Sequence, residues 1–253
     1  MKVRPGLEFA SLSDVGCQRK NNEDSFGYWE PQDDSEFERL GRLAVVADGM
    51  GGAEGGQYAS RIAVDTVIEI YGAGDSEENP QERLIHGFAE ANIRVQQDAF
   101  QNPLLRGMGT TLTAFALVGT HLYYAHVGDS RLYLLHQSNL RQLTHDHSLV
   151  ARLVEQGVVR PEDAENHPQK HVLIAAVGVS DAVVPDTPAE PIVIAPGDAI
   201  LLCTDGLWGQ MSDGEIASAL SSHPPSAACR SLILLAKDRG GPDNITVQMA
   251  KVS

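Results

Sequence analysis

The chain contains few cysteines, and none of them are spaced for a zinc site or a disulfide framework. Its 253 residues include three, Cys17, Cys203 and Cys229, which are widely separated and odd in number. A C-x-x-C pair is typical of thiolate metal sites, and an even, regularly spaced set is typical of disulfide scaffolds. The sequence therefore excludes both classes and favours a reducing compartment.

Positive charge is also scarce. Lysine and arginine together number 19 against 34 aspartates and glutamates, giving a formal net charge of -15. Affinity for a nucleic-acid backbone comes from clustered lysine and arginine, and anionic membranes attract the same residues. We therefore expect neither a nucleic acid nor a membrane surface among the partners.

Long apolar runs are missing as well. No stretch reaches the roughly 18 apolar residues of a membrane-spanning helix, and residues 1–10 lack the apolar core of a signal peptide. With 42% hydrophobic residues in 253, the chain is large enough for a continuous core. We expect one cytoplasmic domain spanning residues 1–253.

What the sequence does contain is a set of carboxylates at the ends of apolar runs. Residues 43–47 run into Asp48-Gly49, residues 199–204 run into Asp205-Gly206, and Asp243 precedes the apolar stretch 245–249. A short apolar run that ends at glycine predicts a buried strand followed by a tight turn. Three aspartates at strand ends could converge on a hard cation.

Each of these turns also has an ordinary explanation. Asp-Gly and Pro-Asp are common turn sequences, because aspartate tolerates the left-handed region and glycine has no Cβ. Two further acidic clusters, Glu23-Asp24 and Gly128-Asp129, also lie beside apolar segments. Five coincidences favour a shared site over five unrelated turns.

The rest of the chain predicts helices beside antiparallel strands. Apolar residues recur at helical spacing over 59–70 and 84–99, which predicts two helices covering one sheet face. The segments 110–118, 121–127 and 131–136 are strand-like and joined by two or three residues, which predicts an antiparallel meander and excludes a doubly wound parallel sheet.

Shorter signals complete the prediction. Residues 31–39 are polar and predict an exposed hairpin loop, whereas residues 192–203 predict a hairpin that turns at Pro196-Gly197-Asp198. Ser212 and Glu215 match a capping box. Residues 158–191 show little periodicity and predict an irregular flap.

The residue types point to phosphate chemistry. Carboxylates without cysteine or an obvious histidine cluster suit Mg²⁺ or Mn²⁺ better than zinc. Two such ions sharing a carboxylate can bind a phosphoryl oxygen and generate hydroxide for in-line hydrolysis. Arg19 is a candidate for gripping the phosphate, since guanidinium matches phosphate bidentately. A P-loop is excluded, because no Lys-Ser/Thr follows the glycines of residues 49–56.

Seven short motifs follow one another along the chain, at residues 13–16, 19–24, 46–52, 107–111, 126–131, 204–208 and 243–246. In this order they resemble the metal-dependent serine/threonine phosphatases of type 2C, also called the PPM family. The likeness covers nearly the whole chain and is strongest to the compact bacterial members, which act opposite Hanks-type protein kinases.

The resemblance implies an α+β fold, a four-layer α-β-β-α sandwich with two central antiparallel sheets and an irregular flap at about 145–191. It implies hydrolysis of phosphoserine and phosphothreonine in proteins by water activated at two Mn²⁺ or Mg²⁺ ions, with a third, weaker ion and no organic cofactor. The partners would be phosphorylated proteins and a cognate serine/threonine kinase. We expect a monomer.

The same resemblance assigns the metal ligands. Asp48 would bridge both metals, and Gly49 would contribute its carbonyl. Asp205 and Asp243 would complete the shell of one metal. Asp129 would join Asp205 at the third site.

Other residues would act beside the metals. Arg19 would bind the substrate phosphate, and Asp24 and Glu23 would hold metal-bound waters. Asn244 would shape its turn. Met50 stands where many eukaryotic relatives carry a general-acid histidine, so that the leaving group would take its proton from water.

Three further interpretations stay open at this point. Residues 174–178, Ile-Ala-Ala-Val-Gly, replace a Thr-Arg-Ala-Leu-Gly run that relatives often show, which puts any arginine contact there in doubt. A catalytically silent binding module would keep the fold, and a hydrolase of small phosphate esters would keep the chemistry.

The histidines and Trp208 have ordinary explanations. The positions of His145 and His147 are more typical of an exposed loop before a helix than of metal ligands. His126 and Trp208 are more typical of packed residues.

Overall fold

The structure is a computed structural model that describes residues 4–51, 55–73, 78–164 and 167–253. Its strands are β1 (Leu7–Asp14), β2 (Asp24–Trp29), β3 (Arg42–Met50), β4 (Gly109–Thr110), β5 (Leu112–Val118), β6 (His121–Val127), β7 (Arg131–His136), β8 (Asn139–Gln142), β9 (Ile192–Val193), β10 (Ala199–Cys203) and β11 (Ile245–Val252). Its helices are α1 (Asp34–Leu40), α2 (Gly55–Ala73), α3 (Pro80–Gln101), α4 (Leu149–Glu155), α5 (Pro161–Ala164), α6 (Asp205–Trp208), α7 (Asp213–Ser222) and α8 (Pro225–Asp238).

The described strands form two antiparallel sheets. One has the order β1-β11-β10-β7-β8, and the other has the order β2-β3-β5-β6-β9 with β4 paired to the end of β3. Helices α2 and α3 contact the second sheet, and α7 and α8 contact the first. The antiparallel prediction is confirmed.

Three apolar clusters among the described residues fill the spaces between the layers. One joins the second sheet to α2 and α3, and another joins the first sheet to α6, α7 and α8. The third lies between the sheets, where Val46 and Phe115 of one meet Leu132 and Leu202 of the other. Each sheet is therefore buried on both faces, and the predicted four-layer α-β-β-α sandwich is confirmed.

The helix predictions succeed where caps and periodicity agree. Asn79 is the N-cap of helix α3. Its side chain accepts from the backbone N–H groups of Gln81 and Glu82, and the Glu82 carboxylate accepts from the Asn79 N–H. The predicted capping box of α7 is present between Ser212 and Glu215. Such caps satisfy N–H groups that have no partner inside the helix.

One predicted loop is a helix. Residues 31–39 do not form a hairpin loop, because α1 occupies 34–40 and is capped by Asp33, which accepts from the N–H of Ser35 and Glu36. The ring of Phe37 lies between the guanidinium groups of Arg4 and Arg42, at 4.6 and 4.7 Å. A helix anchored by cation–π contacts has little apolar periodicity to reveal it.

The predicted meander is wrong at one connection. Strands β5 and β6 pair in one sheet, but β7 pairs with β10 and β8 in the other. The chain crosses between the sheets at Gly128, whose φ of 110° lies in a region that suits glycine. The short connection between β6 and β7 therefore joins strands of two different sheets, and it carries Asp129.

The hairpin predicted for residues 192–203 is wrong for a related reason. Strand β9 pairs with β6 in one sheet, whereas β10 pairs with β7 and β11 in the other. The turn at Pro196-Gly197-Asp198 thus moves the chain between layers. Its Asp198 is buried, and the Asp198 carboxylate contacts Nδ1 of His136 at 2.9 Å.

The segment 145–191 lies over one end of the sandwich and includes α4 and α5. Isolated bridges from Thr110 to Val177 and from His126 to Asp186 attach it to the second sheet, and a bridge from Ser148 to Leu173 lies within the segment itself. The N–H of Gly178 also donates to the Asn92 side chain of α3 at 2.7 Å. In the described part of the chain, no helix combines the length and the apolar character needed to cross a bilayer.

Candidate active site

The aspartates singled out in the sequence meet at one end of the two sheets. Asp48 lies near the end of β3 and is paired in register with Asp24 at the start of β2. Asp205 follows β10 as the first residue of α6, and Asp243 lies in the turn before β11. Asp129 lies in the crossing between β6 and β7. Every one of these positions follows from where a strand begins or ends.

Close backbone packing joins the loops that carry Asp205 and Asp243. A Cβ on Gly206 would lie 1.9 Å from the carbonyl oxygen of Asn244, so only glycine fits there. The Asn244 amide donates to the carbonyls of Val15 and Asn21, both at 2.9 Å, and its oxygen accepts from the N–H of Glu23 at 2.8 Å. Asn244 therefore shapes its turn, as predicted.

The loops surround a cleft of about 1000 Å³. Seven of the predicted site residues line it: Arg19, Glu23, Asp48, Gly49, Asp129, Asp205 and Asp243. Asp24 does not line this cleft but borders a smaller cavity of about 270 Å³ beside β2 and α2. The structure thus brings together the residues that the sequence analysis selected, with Asp24 behind the others.

The crowding of carboxylates changes their acidity. Burial and the charges of Asp24 and Asp205 raise the pKa of Asp48 well above its usual range. Burial and the Asp205 charge raise the pKa of Asp129 to about 8. Like charges and desolvation both disfavour the ionised form, and a divalent cation would remove both penalties.

Asp24 is held by hydrogen bonds that span the two sheets. Its Oδ2 accepts from the Thr204 hydroxyl at 2.9 Å, and that hydroxyl accepts from the N–H of Thr246 at 3.0 Å. Burial, partly offset by these hydroxyl contacts, raises the pKa of Asp24 to about 7. Its Oδ1 is buried without a hydrogen-bond partner.

Asp243 is engaged by a cation from the protein itself. Nη2 of Arg19 donates to its Oδ2 at 2.6 Å, and both side chains are partly exposed. Within the described residues, no three His, Cys, Asp or Glu side chains are already grouped closely enough to enclose a metal ion.

The donor set nevertheless fits a divalent cation in kind. It consists of carboxylates without cysteine, which suits Mg²⁺ and Mn²⁺. Oδ1 of Asp205 is buried without a hydrogen-bond partner, as is Oδ1 of Asp24. Unpaired buried carboxylate oxygens are costly unless something binds them. Release of Asp243 from Arg19 would bring a further carboxylate to the group.

Several residues at the site escaped sequence reasoning. The Thr111 hydroxyl accepts from the N–H of Asp48 at 2.8 Å and contacts the Ser130 hydroxyl at 2.8 Å. His171 of the 145–191 segment approaches Asp205, with 3.8 Å between Nδ1 and Oδ2. The Gly-Thr-Thr motif at 109–111 could have indicated Thr111, but no local signal marks His171.

The structure agrees in part with the predictions made for the histidines. His126 is buried, with Nδ1 2.8 Å from the Thr113 hydroxyl and Nε2 3.0 Å from the carbonyl oxygen of His145. His145 is exposed, as predicted. His147 is instead half-buried, and its Nε2 contacts Asp186 at 3.1 Å.

Comparison with known proteins agrees with this site and fold. The family model "Protein phosphatase 2C" matches residues 18–231. The protein phosphatase PhpP of Streptococcus pneumoniae is 36% identical over 251 residues, which cover 98% of each chain. The serine/threonine phosphatase of S. agalactiae has a TM-score of 0.88 at 33% identity, covering 98% of this chain and all of that one.

A further solved structure contains metal. The catalytic domain of the serine/threonine protein phosphatase PstP, in complex with two manganese ions, has a TM-score of 0.83 at 34% identity and covers 97% of this chain and 98% of that one. The sandwich and its acidic cleft thus define a metal-dependent phosphatase. The chain belongs to the protein phosphatase 2C family. It is a protein-serine/threonine phosphatase of the bacterial type.

Proposed function

We propose that the cleft holds two Mn²⁺ or Mg²⁺ ions, for which Asp48, Asp205 and Asp243 would supply carboxylates and Gly49 would supply its backbone carbonyl. The observation that carries this proposal is the convergence of these residues on one cleft, with a raised pKa at Asp48 and an unpaired oxygen on Asp205. When bound, the ions polarise the phosphoryl group and lower the pKa of the attacking water.

Arg19 binds the substrate phosphate. Its side chain is about half exposed, and its one described ion pair is with Asp243. A phosphate that enters the cleft offers the guanidinium a bidentate partner, which frees the Asp243 carboxylate for its ion. Arg19 thereby couples substrate binding to completion of the site.

Glu23 and Asp24 orient water beside the ions. The Glu23 carboxylate borders the cleft, and burial raises its pKa. Asp24 is fixed behind the cleft by Thr204, with one oxygen left unpaired. Asp129, together with Asp205, holds a third and weaker ion, consistent with its burial and the raised pKa that the Asp205 charge produces.

The substrates are phosphoserine and phosphothreonine proteins phosphorylated by a Hanks-type kinase. The enzyme is a cytoplasmic monomer, and residues 1–253 form a single catalytic domain with the segment 145–191 as a flap. Lys170, Ile174 and Val179 of that segment border the cleft beyond the aspartates. That extra surface suits a polypeptide better than a small ester.

The test compares Asp205→Asn with wild type on a phosphothreonine peptide. We expect hydrolysis to fall to background in the variant and in wild type with chelator, while circular dichroism stays native. Asp213→Asn, an exposed aspartate of α7, is the matched control and should keep full activity. Turnover in metal-free buffer would contradict the metal mechanism. Faster hydrolysis of p-nitrophenyl phosphate and nucleotides than of any phosphopeptide would contradict the substrate class.

A further inference from the structure

Arg131, at the start of β7, is the centre of a mostly buried cluster of side chains. Its Nε donates to Asp146 Oδ1 at 2.9 Å, and its Nη2 donates to Asp146 Oδ2 at 2.6 Å. Nη1 donates to the Tyr133 hydroxyl at 3.0 Å. The guanidinium carbon lies 3.6 Å from the ring centroid of Trp208. We call these four residues the Arg131 clamp.

Each partner in the clamp belongs to a different part of the site. Trp208 ends the single turn of α6 that begins with Asp205, and its indole N–H donates to the carbonyl oxygen of Asp129 at 2.9 Å. Asp146 lies at the base of the 145–191 segment, where the N–H of His147 donates to the carbonyl of Gly128 at 2.7 Å. The clamp therefore connects the Asp129 crossing, helix α6 and the base of the segment.

The contacts of Arg131 differ from those of the phosphate-binding arginine. All three of its nitrogens donate to Asp146 or Tyr133, and one face of the guanidinium covers Trp208. Its side chain is 19% exposed, against 51% for Arg19. Although Arg131 borders the cleft, each of its three nitrogens already donates to a protein group, and it is more deeply buried than Arg19.

We propose that Arg131 is a positioning residue that, through Trp208 and Asp146, fixes the separation of Asp129 from Asp205 and so sets the affinity of the third ion. The inference rests on the proposed function, because it assumes an ion between these carboxylates. The Asp129 crossing and helix α6, which begins with Asp205, are joined directly by the bond from the Trp208 N–H to the Asp129 carbonyl oxygen. Residues that hold two such groups in place act as outer partners of a metal site.

Arginine is required by this geometry. The planar guanidinium makes two parallel bonds to a carboxylate while it stacks on an indole, whereas the compact ammonium of lysine cannot make both contacts at once. Arg131→Lys therefore keeps the charge and removes the clamp. Trp208→Phe keeps an aromatic face for Arg131 but removes the N–H bond to Asp129, together with part of the ring.

The experiment is a calorimetric Mn²⁺ titration of the metal-free protein in wild type, Arg131→Lys and Trp208→Phe. We expect the weakest site to lose roughly tenfold or more in affinity in both variants, while the tighter sites change by less than about twofold. Arg94→Gln is the matched control, since Arg94 pairs with Glu69 at 2.7 Å and with Glu90 at 3.0 Å on α2 and α3. That control should leave every Mn²⁺ affinity unchanged.

The outcomes separate this inference from the proposed function. An unchanged weak site in a folded Trp208→Phe protein overturns the inference, even if Arg131→Lys fails to fold. A wild-type protein that binds only two ions also overturns it and leaves the two-ion mechanism intact. A wild-type protein that binds no Mn²⁺ contradicts the proposed function itself. A general loss of stability would lower all affinities together and would likewise count against a specific positioning role.

Discussion

Arg19 and Asp243 form an ion pair across the mouth of the cleft, with 2.6 Å between Nη2 and Oδ2. The two residues have opposite assignments, one to the phosphate and the other to a metal ion. In the structure, each neutralises the other. Under the proposed function, binding of metal and phosphate exchanges this contact for two new ones.

The first prediction concerns that exchange. We expect Arg19→Gln to lower kcat/KM on a phosphothreonine peptide by about 10- to 100-fold, which corresponds to one charge-assisted contact of about 1.5–3 kcal/mol. The same variant should bind Mn²⁺ more tightly, because Asp243 is freed. Steady-state kinetics and calorimetry measure the two effects. Weaker binding of both phosphopeptide and Mn²⁺ would show that Arg19 supports the metal site instead.

The second prediction concerns pH. In the metal-free protein, burial raises the pKa of Asp24 to about 7 and that of Asp129 to about 8, against 3.8 for an unperturbed carboxyl. The folded state therefore retains protons that the unfolded chain has lost, and the free energy of unfolding falls as pH rises through these values.

His126 sets the lower limit of the useful pH window. Burial lowers the pKa of His126 to about 4 from 6.5, so that His126 destabilises the fold only as pH falls below about 6.5. In the presence of a chelator, we expect the Tm of the wild-type protein to fall as the pH rises from about 6.5 to about 8.5. Asp129→Asn should flatten that slope. Saturating Mn²⁺ should raise Tm more at the higher pH. A Tm that rises with pH in chelator would contradict the raised pKa values.

The third prediction concerns the support behind the cleft. Thr204→Val removes the hydroxyl that donates to Asp24 and accepts from the N–H of Thr246. Because two buried polar groups lose a partner, the free energy of unfolding should fall by about 1–3 kcal/mol. Urea unfolding measures this change, and Thr204→Ser, which keeps the hydroxyl, is the control. If Thr204→Val and Thr204→Ser lowered the free energy of unfolding equally, packing at this position would matter and the hydroxyl would not.

The fourth prediction tests the packing of the loops that carry Asp205 and Asp243. Gly206→Ala places a Cβ 1.9 Å from the Asn244 carbonyl oxygen and should cost about 1–3 kcal/mol in the free energy of unfolding. A Cβ on Gly214, in α7, would meet no atom within 4 Å, so Gly214→Ala should be neutral or stabilising by up to about 1 kcal/mol. Thermal unfolding of the two variants gives the comparison. Similar effects at both positions would contradict the close approach.

Local signals predicted much of the fold and the site. The apolar runs that end at Asp48 and Asp205 correctly predicted strands. Both signals are local, because the apolar residues of a buried strand and the glycine of the following turn are neighbours in the sequence. Helical periodicity located α2 and α3. Helix α1 was missed although Asp33 and Glu36 have capping-box spacing, since its stability depends on Arg4 and Arg42 from distant segments.

The remaining features depend on pairings between distant parts of the chain. Thr204 bonds Asp24 across 180 residues, and Arg19 meets Asp243 across 224. No local pattern encodes which of two stacked sheets a strand joins, so the crossing at Gly128 resembled an ordinary turn. The motifs selected residues that line one cleft, whereas the contacts that Arg131 and Asn244 make with distant parts of the chain appear only in the structure.

The most direct test of the two-ion site is anomalous diffraction from crystals of the protein grown with Mn²⁺. We predict two manganese peaks in the cleft, both in contact with Asp48, with Asp205 and Asp243 on one of them and Arg19 moved away from Asp243. Manganese peaks only at other positions, with the Arg19–Asp243 ion pair intact, would contradict the proposed mechanism.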